Sequence, residues 1–313
     1  MSKYPKRSPQ ATLDTQLMKA DAYLAKVICA IEHLRMPTLP RRRLEALLGV
    51  RGCMHDMRLC DVTARKKAAE ILFEVIKDLQ PAFDMPGVVF WHITFVDDIG
   101  ITLDRAPVLR VGALKRKVDK AIRALGLSAI THIETQPLLN YPAGGEGRTL
   151  MLHAHALCWG AVSRRGFREA MKALNRSRSW QNEFGAKPVL ARKLKDFDEV
   201  RRIACYVAKL PHDGKIRVPV GNGKWRFRPV LQGYPDRLTL RIAEGLSHYS
   251  IFDAVFSVGD GKQIRAAWKR KMVDWHRDRL DRAGKVHGFD VADFWRRRRS
   301  VAGSGYDQTF QTE

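Results

Sequence analysis

The sequence predicts an α+β fold, and three features predict it. From Leu13 to about Gln80, apolar residues recur at helical intervals. From Gly87 the texture changes to β-branched and aromatic runs of strand length, separated by helical stretches and Pro/Gly loops. Beyond about residue 236 the pattern is again helical and strongly basic.

The elements follow in order. Residues 1–12 read as a flexible basic tail, and residues 13–86 as an N-terminal helical region. Its first helix is marked by Leu17, Ala20, Leu24, Val27 and Ile31, near the 3.6-residue period. Pro37 and Pro40 interrupt it. Arg41, Arg42 and Arg43 open a second short helix with Leu44, Leu47 and Leu48 on one side. A third starts near Thr63, with Ala68, Ile71, Leu72, Val75, Ile76 and Leu79 as its apolar face, and Pro81 and Pro86 close the region.

Residues 87–235 form the predicted core. Val88 to Val96 reads as a buried strand, and Pro107 to Leu125 as a helix with a basic outer face. Ser128 to Gln136 is a strand, Asn140 to Arg148 a Pro/Gly loop, and Thr149-Leu-Met-Leu-His-Ala-His-Ala-Leu-Cys158 a second strand. A loop of that length most simply joins an antiparallel pair. Arg164 to Trp180 reads as a helix, Pro188 to Leu194 as a strand and Asp196 to Lys209 as a helix. Lys215 to Val230 resembles a hairpin, with Pro219 marking an edge strand. Residues 236–313 form a basic helical region that includes Arg265 to Arg282 and the run Arg296 to Arg299.

Composition narrows the partners. Lysine and arginine outnumber aspartate and glutamate by 56 to 33, a net charge of +23. A charge of that size calls for a polyanionic partner. No apolar run reaches the ~18 residues that span a bilayer, and the polar start is not that of a secretory signal. Nucleic acid is therefore the expected partner, with no membrane, and the expected location is the cytoplasm. The five cysteines lack paired Cys-x-x-Cys spacing, which fits a reducing compartment. Cys53, His55 and Cys60 are too irregularly spaced, and too few, for a zinc site. The alternating aromatic and basic residues of the hairpin (Arg217, Trp225, Arg226, Arg228) and the basic helix (Lys269, Arg270) are the candidate DNA contacts.

Three groups carry chemistry. Side chains two apart on a strand share a face, so His153 and His155 project together from an otherwise apolar strand, as a metal-binding pair would. Glu134 on the preceding strand can complete a two-nitrogen, one-oxygen set, with Gln136 as a competitor and His132 on the same face. Tyr206 and Lys209, three apart in the last predicted helix of the core, lie on one side of it. A phenol with a pKa near ~10 is a weak nucleophile at neutral pH, and a nearby cation or a polarised phosphate would offset that.

Order and spacing carry a resemblance over residues 87–210. Trp91-His-Ile-Thr-Phe95, then Leu152-His-Ala-His-Ala-Leu157, then Ala204-Cys-Tyr-Val-Ala-Lys-Leu210 resemble the three motifs of the HUH endonucleases. The rolling-circle replication initiators with a single catalytic tyrosine are the most similar group. The resemblance implies a central antiparallel sheet flanked by helices, an HUH/RRM-like nuclease core. It implies that His153 and His155, with Glu134, bind Mg²⁺ or Mn²⁺. It further implies that Tyr206 attacks the scissile phosphate of single-stranded or hairpin origin DNA, leaving a 5′-phosphotyrosine and a free 3′-OH, while Lys209 orients it or stabilises charge. No second tyrosine follows in the motif, and no Walker-type loop is present. Helicase and polymerase would come from the host of a plasmid or phage. A relaxase or transposase would use the same residues. A non-catalytic DNA-binding protein, with a helix-turn-helix around Leu39 to Leu59, is the alternative of a different class.

Overall fold

In the computed structural model the described residues are 7–49, 56–103, 108–140, 149–180, 187–211, 213–221, 225–230 and 234–287. Residues 1–6 of the expected tail, Cys53, His55, Tyr141 to Arg148 of the Pro/Gly loop and the Arg296 to Arg299 run lie outside them. Met1–Met272 form one compact unit and Val273–Glu313 a second. The expected boundaries at residues 87 and 236 both fall inside the first unit.

The helical start is α1 (Pro9–His33), α2 (Thr38–Leu47), α3 (Val62–Val75) and a short α4 (Gln80–Asp84) after a 3₁₀ turn. The helix α1 begins earlier than the sequence predicts, because Ser8 caps it by accepting from the Ala11 amide and Pro9 suits its first position. The expected tail therefore ends before Pro9. Its buried stripe runs through Leu13, Ala20, Tyr23, Val27 and Ile31, while Leu17 and Leu24 are only half-buried. Asp61 caps α3 through the Ala64 amide at 2.8 Å.

The α+β architecture is as predicted, and its centre is a seven-stranded sheet. The strands are β1 (Val89–Leu103), β2 (Ser128–Leu138), β3 (Thr149–Gly160), β4 (Val189–Lys193), β5 (Gly214–Pro219), β6 (Trp225–Val230) and β7 (Val255–Val258). Their order is β4-β1-β3-β2-β5-β6, with β7 also paired to β2. Every pairing is antiparallel except the parallel contact of Leu138 with Lys215 between β2 and β5. Strand β1 is longer than predicted. Its register on β3 shifts between Val96 and Ile101, where the backbone at Gly100 closes onto the Leu152 carbonyl.

Helices α5 (Val111–Ala124) and α6 (Arg164–Arg176) follow β1 and β3, and α7 (Phe197–Ala204) follows β4. The predicted helix to Lys209 stops at Ala204, and Cys205–Ala208 form a 3₁₀ turn. Among the described residues α8 (Asp236–Ser247) and α9 (Ile251–Ala254) follow, and α10 (Gly261–His287) is the last element. The strand β7 corrects the all-helical reading of this region: Val255 to Val258 pair with His132 to Ala129 of β2. Trp268 of α10 is fully buried and donates its indole N–H to the Ala68 carbonyl of α3 at 3.0 Å. No helix among the described residues is long and apolar enough to cross a membrane.

One sheet face carries Ile93, Phe95, Ile133 and Ala154. It is covered from α5, whose Lys117 reaches the ring of Trp180, which itself lies on Phe95. The opposite face meets α3, α7 and the 3₁₀ turn, and it holds the polar residues considered next.

Candidate metal centre

Register alone assembles the site. In β2 and β3, Glu134 pairs with His153 and His132 with His155, so the strand period of two puts all four on one face. On the other side of β3, Thr94 of β1 pairs with His155. His92 is two residues away on the same face. Directly opposed residues have Cβ atoms about 5 Å apart, close enough for their side chains to share a ligand.

Glu134, His153 and His155 form a group whose ligand atoms all lie within 4.8 Å of one another. Glu134 Oε2 is 3.2 Å from His153 Nε2 and 3.5 Å from His155 Nε2. Glu134 is 2 % exposed and His153 5 %. Between the two candidate third ligands, the geometry separates Glu134 from Gln136. The Gln136 amide donates to the Asp213 carbonyl at 2.7 Å and stands opposite Met151, away from the histidines.

The donor set fits a metal ion. Glu134 Oε1 and His155 Nε2 are buried and make no hydrogen bond. Such atoms are costly unless a further partner satisfies them. Two imidazole nitrogens and one carboxylate oxygen leave positions open for other ligands, as a catalytic divalent site requires. Protonation states agree. Burial would raise the Glu134 carboxyl, but the facing His155 and the Lys209 ammonium, with a hydrogen bond from His153, outweigh it and hold it well below the usual range. Burial pulls His153 down to about 4, with Glu134 opposing, so its imidazole is neutral and free to ligate.

The 3₁₀ turn brings Tyr206 and Lys209 to this face. Residues three apart nearly eclipse in a 3₁₀ turn, so the phenol and the ammonium emerge on one side. The Tyr206 ring stacks on His155 with centroids 4.9 Å apart and an interplanar angle of 24°. It also lies 5.6 Å from the His92 ring. Lys209 Nζ donates to Glu134 Oε2 at 2.5 Å and sits 5.5 Å from the Tyr206 ring centroid. Burial would lower the Lys209 ammonium, yet Glu134 reverses this and holds it above its ordinary value. Tyr206 is raised, by burial first and by the Glu134 charge second, so its phenol is protonated near neutrality.

Two further residues at this site had no role in the sequence reading. His92 Nε2 lies 2.9 Å from His155 Nδ1, with Thr94 Oγ1 at 3.2 Å from the same nitrogen. Burial, His155 and Arg192 push His92 down to about 3, which leaves it a neutral acceptor. Arg65 of α3 is buried and donates to the Lys209 carbonyl at 2.6 Å, with His132 Nε2 at 3.5 Å. Its signal in the sequence is a charge on an apolar stripe, since Arg65, Ala68, Ala69 and Leu72 share one helical face and all are buried.

The six candidate DNA contacts are on other elements. Arg226 and Arg228 are exposed on β6, two apart and on one face of the hairpin. Arg217 and Trp225 occupy β5 and β6, but their side chains lie outside the described residues. Lys269 and Arg270 are exposed on α10, where Lys269 Nζ lies 5.5 Å from the Phe252 ring centroid. No family model, curated protein or solved structure matches the chain.

Proposed function

We propose that this protein is a metal-dependent, single-tyrosine DNA strand nickase that initiates rolling-circle replication of a plasmid or phage. The observation that carries the reading is the stacking of Tyr206 on His155, a member of the Glu134/His153/His155 group, with Lys209 bonded to Glu134. A nucleophile candidate, a cation and a divalent-ion site thus share one sheet face, in the order that resembles the HUH endonucleases. The +23 charge supports a DNA partner.

Glu134, His153 and His155 would hold Mg²⁺ or Mn²⁺, which when bound makes a phosphate more electrophilic by polarising one of its oxygens. Tyr206 Oη gives its proton to water and forms a bond to phosphorus. The bond from phosphorus to the 3′ oxygen breaks, and that oxygen takes up a proton. The products are a 5′-phosphotyrosine and a 3′-OH that primes synthesis by a host polymerase behind a host helicase. Joining reverses the same exchange, so no nucleotide hydrolysis is consumed. Lys209, beside both Tyr206 and Glu134, stabilises the phenolate as it forms.

The test is incubation of the full chain with single-stranded origin-region DNA and Mn²⁺, followed by denaturing electrophoresis. Wild type is expected to form a covalent adduct and Tyr206→Phe none. Adduct formation by Tyr206→Phe at the wild-type level would reject the assignment. His153→Ala/His155→Ala is expected to lose cleavage while keeping most DNA affinity, since affinity rests on phosphate contacts.

A further inference from the structure

At the outer edge of the sheet, β4 and α6 enclose an open groove of about 890 Å³. The helix α6 buries no residue completely, yet its apolar side is anchored: Phe167 stacks on Trp91 with centroids 4.6 Å apart. Asn175 fixes the other end. Its amide donates to the Val189 carbonyl at 2.9 Å and accepts the Val189 amide at 3.0 Å, as a neighbouring strand would. The groove is thus a fixed feature of the fold.

Its lining has two characters. Arg168, Lys172 and Arg176 lie four residues apart, so they form one stripe along α6 with about 6 Å of rise between successive cations. Lys187 adds a fourth cation from the β4 side. All four are exposed, and none makes an ion pair among the described residues. Between them the surface is apolar, from Met171, Pro188 and Leu190, the last 58 % exposed. Cations at backbone spacing over an apolar floor suit an unpaired nucleic-acid strand, whose phosphates face the stripe while its bases rest on the floor. A duplex presents no base faces, and a flat anionic surface cannot enter a concave groove.

Position gives the groove its meaning. Leu190 pairs with Thr94 of β1, and Thr94 pairs with His155 of β3. Leu190, at the rim of the groove, is therefore two strand spacings, about 10 Å, from His155 and on its face. The helix α6 packs against Trp91 on the opposite face, so a DNA strand held by α6 reaches the metal group around the edge strand β4. We propose that the α6/β4 groove is the track along which single-stranded DNA is held as it passes to Tyr206. The assignment rests on the strand-nicking reading, and it adds a contact surface distinct from the β5–β6 hairpin and α10.

The test is equilibrium anisotropy of a labelled thymidine 20-mer with the full chain in chelator, titrated with salt. Arg168→Ala/Lys172→Ala/Arg176→Ala is expected to lose at least about tenfold in affinity, and its log–log salt slope to fall by about 2, near the ~0.7 released per phosphate contact in single strands. Arg42→Ala/Arg43→Ala/Arg237→Ala, removing three exposed cations from α2 and α8, is the control and is expected to bind as wild type. Equal affinity and slope in the α6 variant would overturn the proposal. Displacement of the strand by polyglutamate at matched charge would also overturn it, as would loss of binding to anionic vesicles without loss of DNA binding. Because no cleavage is read, failure of the groove is separable from failure of the nickase. Normal DNA binding by the α6 variant rejects the groove alone, whereas absence of DNA binding by wild type rejects both.

Discussion

Lys209 Nζ lies 2.5 Å from Glu134 Oε2, the same oxygen that faces His153 at 3.2 Å and His155 at 3.5 Å. One buried carboxylate therefore serves the lysine and both imidazoles. Removing a partner from a buried charged pair costs about 3–5 kcal/mol, because the remaining charge is left without compensation. Lys209 is one-third exposed, which places Glu134→Gln at the lower end, near ~3 kcal/mol. Urea denaturation in chelator is expected to show that loss, and calorimetry with Mn²⁺ to show no binding. A wild-type midpoint would mean the pair is not formed.

Lysine and a divalent ion both draw on Glu134 Oε2, so they compete. Lys209→Met is accordingly expected to bind Mn²⁺ several-fold more tightly than wild type, while its covalent adduct with DNA falls by at least about tenfold. The two readouts move in opposite directions, which a general loss of folding would not produce. Parallel loss of both would show that Lys209 supports the site only structurally.

His92 acts on the metal group through His155. For Nε2 of His155 to face Glu134 as a ligand, its Nδ1 must carry the proton and donate it, and His92 Nε2 at 2.9 Å is the nearer acceptor. His92→Phe keeps a ring beside Tyr206 but removes that acceptor, leaving Thr94 at 3.2 Å. Mn²⁺ affinity is expected to fall about 10–100-fold, the usual effect of losing an outer-shell partner. An unchanged affinity would show that Thr94 alone fixes the tautomer.

Arg65 closes the 3₁₀ turn from below, through its 2.6 Å bond to the Lys209 carbonyl. The bond sets the backbone that carries Tyr206, not the metal ligands. Arg65→Met is therefore expected to slow single-turnover adduct formation about tenfold or more, as small misplacements of reacting groups do, with Mn²⁺ affinity held within about twofold. Arg65→Lys retains a donor and is expected to recover part of the rate. If metal affinity fell in step with the rate, Arg65 would be acting through His132.

The legible part of this site is its sheet. His153 and His155 could be placed on one face because strand alternation is local, and Glu134 joined them because a short loop implies an antiparallel pair. The choice between Glu134 and Gln136 was not legible, since it depends on the Asp213 carbonyl, 77 residues from Gln136 in sequence. Arg65 reaches the Lys209 carbonyl only because α3 packs on a 3₁₀ turn that no periodicity announces. The strand β7 was missed for a similar reason. Four residues flanked by helices show no period of their own, and only pairing with β2 makes Val255 to Val258 a strand.

That pairing depends on the turn after β7. Gly259 has φ +55°, and a Cβ on Gly261 would run into the Ala129 carbonyl of β2. Ser128 Oγ binds the same turn, accepting the Asp260 amide at 3.0 Å. Backbone cannot yield as a flexible side chain can, so Gly261→Ala must push α10 and β7 off β2. Gly221 is the comparison: its φ of +88° carries the left-handed penalty of about 1 kcal/mol, but nothing lies within 4 Å of an added Cβ. Gly261→Ala is expected to cost at least about 3 kcal/mol in urea denaturation, well above Gly221→Ala. Because β2 also carries Glu134, Gly261→Ala is further expected to weaken Mn²⁺ binding, while Gly221→Ala leaves it unchanged. Equal stability of the two variants would mean that β7 does not sit on β2, and the stretch Ala129 to His132 would then lack the partner strand that extends towards Glu134.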